Sequence, residues 1–144
     1  MKQVSSTNFD FQRRALELEN SLRDLPQVEM VTNHYYAHGT YTRELIIPAG
    51  TLLTGKIHRH SCVNILSKGV IRVVTDEGFY DLKAPATFIS SPGVKKVGYA
   101  LEDSVWINVH PWDGEQCLEE LENSLIVESL EKLEHEEREK LCLG

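Results

Sequence analysis

The stretch GKIHRHSCVN, Gly55 to Asn64, sets His58 and His60 one residue apart and follows them with Cys62 and Asn64. On a strand, two imidazoles at that spacing face the same way, because successive side chains alternate. Such a pair can hold a divalent metal or line a binding surface without one, and His-x-His alone does not choose. Cys62 continues the alternation if the strand runs on, and a His/His/Cys set with one water would suit zinc. As a nucleophile, Cys62 needs an accessible, electropositive setting. Other imidazoles are scattered: His34 and His38 in HYYAHGTY, and His110 in NVHPW, where Pro111 signals a turn and a structural role reads as readily as a pocket role. Tyr35 and Tyr36 read as aromatic strand packing. No Walker or dinucleotide glycine loop, G-x-S-x-G elbow, H-E-x-x-H helix or C-x-x-C pair occurs in the chain. Asp76 and Glu77 fall in a hairpin turn, too exposed in expectation for a catalytic pair.

Elements of two kinds must position these groups. Phe11, Ala15, Leu18, Leu22 and Leu25 form one stripe at helical period, with Thr7 or Asn8 as cap, Asp10 in the first turn and Pro26 as the stop. From Val28 to His110, short runs rich in Val, Ile, Thr and Tyr alternate with turn signals such as PAG, SKG, DEG and SPG. Their spacing is that of a sandwich or barrel. The expected strands are TYTRELII, TLLTGKIH, VNIL, VIRVVT, FYDLK, ATFIS, KVGYAL and SVWINVH. After Trp112, Asp113 offers a cap and Leu118, Leu121 and Leu125 resume helical spacing, followed by Leu130, Leu133 and Leu141. SLIVES between them reads as a break or a short extended piece, and EHEEREK as a solvated helix end, a frayed tail or a pairing surface for another subunit. The chain of 144 residues is expected to be one domain: an N-terminal helix at 1–26, a β body at 28–112 and an acidic helical segment at 113–144.

Composition narrows the function classes. Apolar residues make up 41% and charged residues 26%, the balance of a globular core with a solvated surface. No apolar run approaches the ~18 residues of a membrane span, and MKQVSSTNFD has no apolar leader core. Three scattered cysteines (Cys62, Cys117, Cys142) make no disulfide framework and fit a reducing cytoplasm. A formal net charge of -7 argues against general nucleic-acid or anionic-membrane binding. The acid is concentrated from Glu115 onward, which leaves room for a basic patch in the body.

The order PAG…GKIHRH…NILSKGVIRV…APATFISSPG resembles the cupin core, a double-sheet jelly roll. More closely, the segments PQVEMVTNHYYAHGTYTRELIIPAGTLLTGKIH, NILSKG and APATFISSPGVKKVGYALEDSVWINVHPW resemble small cupin-like proteins of tailed bacteriophages and prophages, mostly of unassigned function. The resemblance implies a mainly β, cupin-type double-stranded β-helix flanked by an N-terminal and a C-terminal helix. It does not imply a function, since cupins include oxygenases, isomerases and metal-free binding proteins.

A cupin metal site joins two histidines, a carboxylate and a third histidine. Carried over, His58 and His60 match the first two, Asn64 stands at the carboxylate and Lys96 at the third histidine. A protonated lysine has no lone pair to offer. The cupin frame also puts a turn at 61–63, which re-aims Cys62. A barrel mouth of this type would gather Lys56, Arg59, Lys68, Lys95 and Lys96 near Tyr41, Tyr99 and Trp106, suiting a carboxylate or phosphate. The same charges also read as strand-edge residues that discourage pairing.

Three readings follow. The first is a non-catalytic binding protein for a small anionic, nucleotide-derived ligand, sequestering a host defence signal. Its site would be His58, Arg59, His60, Asn64, Lys96, Tyr99 and Trp106, with no cofactor. The second is a metal-dependent oxygenase or isomerase with zinc, iron, manganese or nickel on His58 and His60. The third is a structural protein acting through its acidic helix. A homo-oligomer in the cytoplasm is expected, with a small molecule as partner and neither membrane nor general nucleic-acid binding.

Overall fold

In a computed structural model, residues 2–4, 9–75, 78–127 and 130–143 are described; Thr7, Asn8, Asp76 and Glu77 lie outside them. Strand β1 (Lys2–Val4) precedes helix α1 (Phe9–Arg23). Helix α1 buries Gln12 and Ala15 against the barrel, and the Gln12 amide donates to the Gly93 carbonyl at 3.3 Å. The helix stops before Leu25, which is exposed instead of completing the apolar stripe. Glu19 fastens the helix to the body, with Lys95 Nζ at 2.7 Å and Lys56 Nζ at 3.8 Å.

The body runs β2 (Val31–Ala37), β3 (Thr40–Ile47), β4 (Leu52–Thr54), β5 (Ile57–His58), β6 (Cys62–Lys68), β7 (Val70–Thr75), β8 (Gly78–Lys83), β9 (Ala86–Ser90), β10 (Val97–Ala100) and β11 (Ser104–Pro111). A six-stranded sheet has the order β1-β9-β6-β11-β3-β2, and a four-stranded sheet has the order β4-β10-β7-β8. Every pairing is antiparallel except β1 with β9, which is parallel. The two sheets enclose a core of Ile47, Leu66, Ile71, Val73 and Ala100. The turn between β6 and β7 requires Gly69: its φ is +89°, and a Cβ there would collide with Ser104.

The run TLLTGKIH does not form one strand. It breaks at Gly55, whose N–H leaves the ladder to donate to the Lys96 carbonyl at 2.9 Å. Strand β5 then pairs with a short extended piece from the chain's far end. Helix α2 (Leu118–Leu125) gives way to β12 (Ile126–Val127), and helix α3 (Leu130–Leu143) follows. Within SLIVES the helix thus ends at Leu125 and Ile126–Val127 are extended, with Ile126 opposite His58 and Val127 opposite Ile57; Glu128 and Ser129 lie outside the described residues. The α2 cap position is Cys117, not Asp113; Asp113 Oδ1 accepts the N–H groups of Glu115 and Gln116 at 2.8 and 2.9 Å in the preceding turn. Tyr41, Leu121 and Leu125 pack together, as do Ile57, Val127 and Leu133. Among the described residues, no helix is long and apolar enough to cross a membrane.

Candidate functional site

Strand β3 turns Tyr41, Arg43, Leu45 and Ile47 to one face, by the alternation of strand side chains. On neighbouring β11, His110 stands opposite Tyr41, Asn108 opposite Arg43 and Trp106 opposite Leu45. Strand β6 extends two of these rows, with Asn64 opposite Asn108 and Leu66 opposite Trp106. Each row across the sheet therefore has one character. The Arg43 row is polar, the Leu45 row is apolar, and Ile47 lies about 13 Å along the strand from Arg43.

Between the sheets lies a cavity of about 320 Å³. Its apolar part is walled by Leu45, Ile47 and Trp106 from one sheet and by Leu53, Ile71 and Val73 from the other. Its polar part is made by Thr32, Arg43, His58, Lys96 and Asn108, and Lys56 stands at the exposed rim. Among the described residues, no aspartate or glutamate lines it. Among the described residues, neither the Arg43 guanidinium nor the Lys96 ammonium has a hydrogen-bond or ion-pair partner.

Asn64 is fully buried under this floor. Its Nδ2 donates to the Cys62 carbonyl at 3.0 Å and to Ser90 Oγ at 3.1 Å, while its Oδ1 accepts from Asn108 Nδ2 at 2.6 Å. That network fixes Asn108 and leaves its Oδ1 unengaged among the described residues. His58 and His110 lie with ring centroids 5.0 Å apart, and Cys62 Sγ is 3.9 Å from His110 Nδ1.

Burial sets the protonation states. It pushes His58 down to about 3, helped by the charges of Lys96, His110 and Arg43. It pushes His110 to about 4, with Arg43 and Lys96 adding to the effect. Lys96 falls to about 8 for the same reason, with Cys62 alone opposing. The Cys62 thiol is raised by burial, so it stays protonated at neutral pH. The site at pH 7 is therefore two neutral imidazoles, a thiol and two cations.

His58, Lys96 and Trp106 line the cavity, and Asn64 supports it from below. Arg59, His60 and Tyr99 lie outside the lining. The chain bends after His58, so His60 does not share its face and is exposed. Arg59 turns outward: it grips Glu136 at 3.0 and 3.1 Å and donates to the carbonyls of Asn123 and Ile126. Tyr99 stands exposed on β10, Lys68 is exposed at the end of β6, and Lys95 is turned to α1. His38 is exposed, and His34 Nδ1 meets Tyr41 Oη at 2.6 Å within an aromatic stack. Arg43 and Asn108 were not anticipated from sequence. Their signal is parity: each is a polar residue at a position whose strand neighbours two away are apolar or aromatic.

These residues do not fit a divalent metal. The expected ligand His60 is elsewhere, the Asn64 amide is engaged by protein groups, and a cation occupies the place of the third histidine. Among the described residues, no three His, Cys, Asp or Glu groups converge as metal ligands.

The two-sheet frame is shared with solved cupins. KdgF from Halomonas sp. superposes with a TM-score of 0.50 at 18% identity, over 64% of this chain and 90% of that one. A cupin superfamily protein from Desulfitobacterium hafniense gives 0.50 at 8% identity, over 65% and 86%. A salicylate 1,2-dioxygenase from Pseudaminobacter salicylatoxidans gives 0.50 at 17% identity, over 76% of this chain and 36% of that chain. No protein-family model matches the chain, and no curated protein matches it in sequence. The fold is a cupin-type jelly roll with flanking helices. Neighbours with this fold include named enzymes and proteins without a named activity, so the site has to carry the functional argument.

Proposed function

We propose that this chain is a cupin-fold binding protein that holds a small organic anion in its barrel without metal catalysis. The observation that carries the reading is the pair Arg43 and Lys96, two cations lining a cavity where, among the described residues, neither has a partner and no carboxylate stands. A charge in that position is costly unless a counter-charge arrives. A guanidinium offers a planar fork to a carboxylate or phosphate, and Asn108, held by Asn64, offers a directional polar contact beside it. The apolar half of the cavity would take the remainder of the ligand. The setting in a phage, and the version in which the anion is a nucleotide-derived defence signal, rest on the sequence resemblance together with this charge.

Calorimetry against carboxylates, phosphate monoesters and cyclic nucleotides, each beside an uncharged isostere, tests the proposal. The anions are expected to bind and the isosteres to lose roughly ten- to hundredfold, the worth of one or more charge-assisted hydrogen bonds. Equal binding of both, or binding of neither, overturns it. Binding of carboxylates without cyclic nucleotides would retain the anion site and remove the nucleotide version.

A further inference from the structure

We propose that Lys96 captures a carbonyl-bearing organic anion, an oxo acid, as a reversible imine. The inference rests on the anion site argued above and names the ligand class that site takes.

Three observations converge on it. Lys96 projects into the cavity from the segment before β10, and among the described residues its amine has no hydrogen bond and no ion pair. Its neighbour Lys95 is nearly fully buried and carries Glu19 of α1 at 2.7 Å, so the fold supplies a carboxylate to that lysine and none, among the described residues, to Lys96. Arg43 shares the cavity with Lys96 and would hold a carboxylate, which leaves an adjacent carbonyl carbon facing the amine.

An amine must lose a proton before it attacks, and a lysine buried among apolar walls loses it more readily than one in solvent. Burial brings Lys96 to about 8, against about 10.4 for a solvent lysine. The step balances without an oxidant. The ammonium loses one proton to solvent water, and the freed Nζ lone pair forms the C–N bond as the C–O π bond opens. A second proton moves from nitrogen to the alkoxide oxygen, giving a carbinolamine. A proton from solvent then reaches that hydroxyl, water leaves, and a protonated imine remains. Hydrolysis reverses each step, so capture needs no turnover. The apolar walls of Leu45 and Trp106 would favour an oxo acid with an aliphatic or aromatic remainder.

The test incubates the full chain with 4-methyl-2-oxopentanoate or phenylpyruvate and cyanoborohydride, then reads intact mass and peptide maps. The matching 2-hydroxy acids are titrated separately by calorimetry. One adduct per chain at Lys96 is expected, lost in Lys96→Met, with a trapping rate that climbs with pH and levels near pH 8. Hydroxy acids that bind while no adduct forms at Lys96 would overturn the imine and leave the anion site standing. Adducts spread evenly over exposed lysines would also overturn it. Absence of both adduct and hydroxy-acid binding would overturn the two proposals together.

Discussion

Lys95 turns toward α1, where its Nζ meets Glu19 at 2.7 Å, while Lys96 turns into the barrel and meets no carboxylate among the described residues. The same division separates two arginines. Arg59 is clamped by Glu136 and by the carbonyls of Asn123 and Ile126, whereas Arg43 faces the cavity without a partner among the described residues. On the outer wall, cations are fasteners that hold α1 and the α2–β12–α3 segment to the sheets. Inside, cations of the same chemistry have no counter-charge among the described residues. The proposed anion site depends on that contrast.

The largest expected effect lies on the fastening side. Glu19→Gln leaves Lys95 almost fully buried without its counter-charge and should cost about 3–5 kcal/mol in urea unfolding. The double change Glu19→Leu with Lys95→Met should recover most of that loss. Equal stability of Glu19→Gln and the parent would dissolve the contrast between the two lysines. Next comes Arg43→Met, which should weaken anion binding roughly ten- to hundredfold by calorimetry. Its unfolding midpoint should stay level or rise, because the removed charge had no protein partner; a drop resembling that of Glu19→Gln would show Arg43 to be a fastener as well. Arg59→Ala should cost about 1–2 kcal/mol and speed amide exchange in α3, with anion affinity unchanged.

A separate effect lies in the pH dependence. His58 and His110 are held near 3 and 4 in the folded chain, against about 6.5 when unfolded, so the unfolded chain binds more protons between those values. Stability should therefore fall as pH drops from about 6.5 toward 4, and His58→Asn should flatten that slope. Lys96 has the same sign in a different window. Its folded value near 8 lies below its unfolded value of about 10.4, so stability should rise between them as the burial penalty disappears. Lys96→Met should abolish that rise, while a slope that persists would place the titration elsewhere.

Much of the frame was legible in the sequence. Strands β3, β7 and β9 coincide with TYTRELII, VIRVVT and ATFIS, because alternation and flanking turn residues are local signals. The β-branched pair Ile126–Val127 in SLIVES also signalled the short extended piece, although its partner β5 lies far away in sequence. What failed was inference along one strand past its real end. GKIHRHSCVN alternates on paper, but the bend at Arg59 and His60 is set by long-range bonds, the pairing with β12 and the clamp on Arg59. The cavity was only half legible. His58, Lys96 and Trp106 were anticipated through the cupin frame, while Arg43 was passed over. Its parity with Tyr41, Leu45 and Ile47 marks an inward face, but sequence alone does not say whether such a charge finds a partner across the barrel.

The two tryptophans occupy different settings. Trp106 forms part of the cavity wall, edge-on to Phe88 at 5.4 Å, while Trp112 lies against Tyr36 and donates its indole N–H to the Gln116 carbonyl at 3.1 Å. The chain thus carries a built-in optical reporter and an internal reference. In a Trp112→Phe protein, emission comes from a single indole on the wall of the proposed binding chamber. Its quenching or spectral shift can then follow a ligand's entry in real time, without any attached dye.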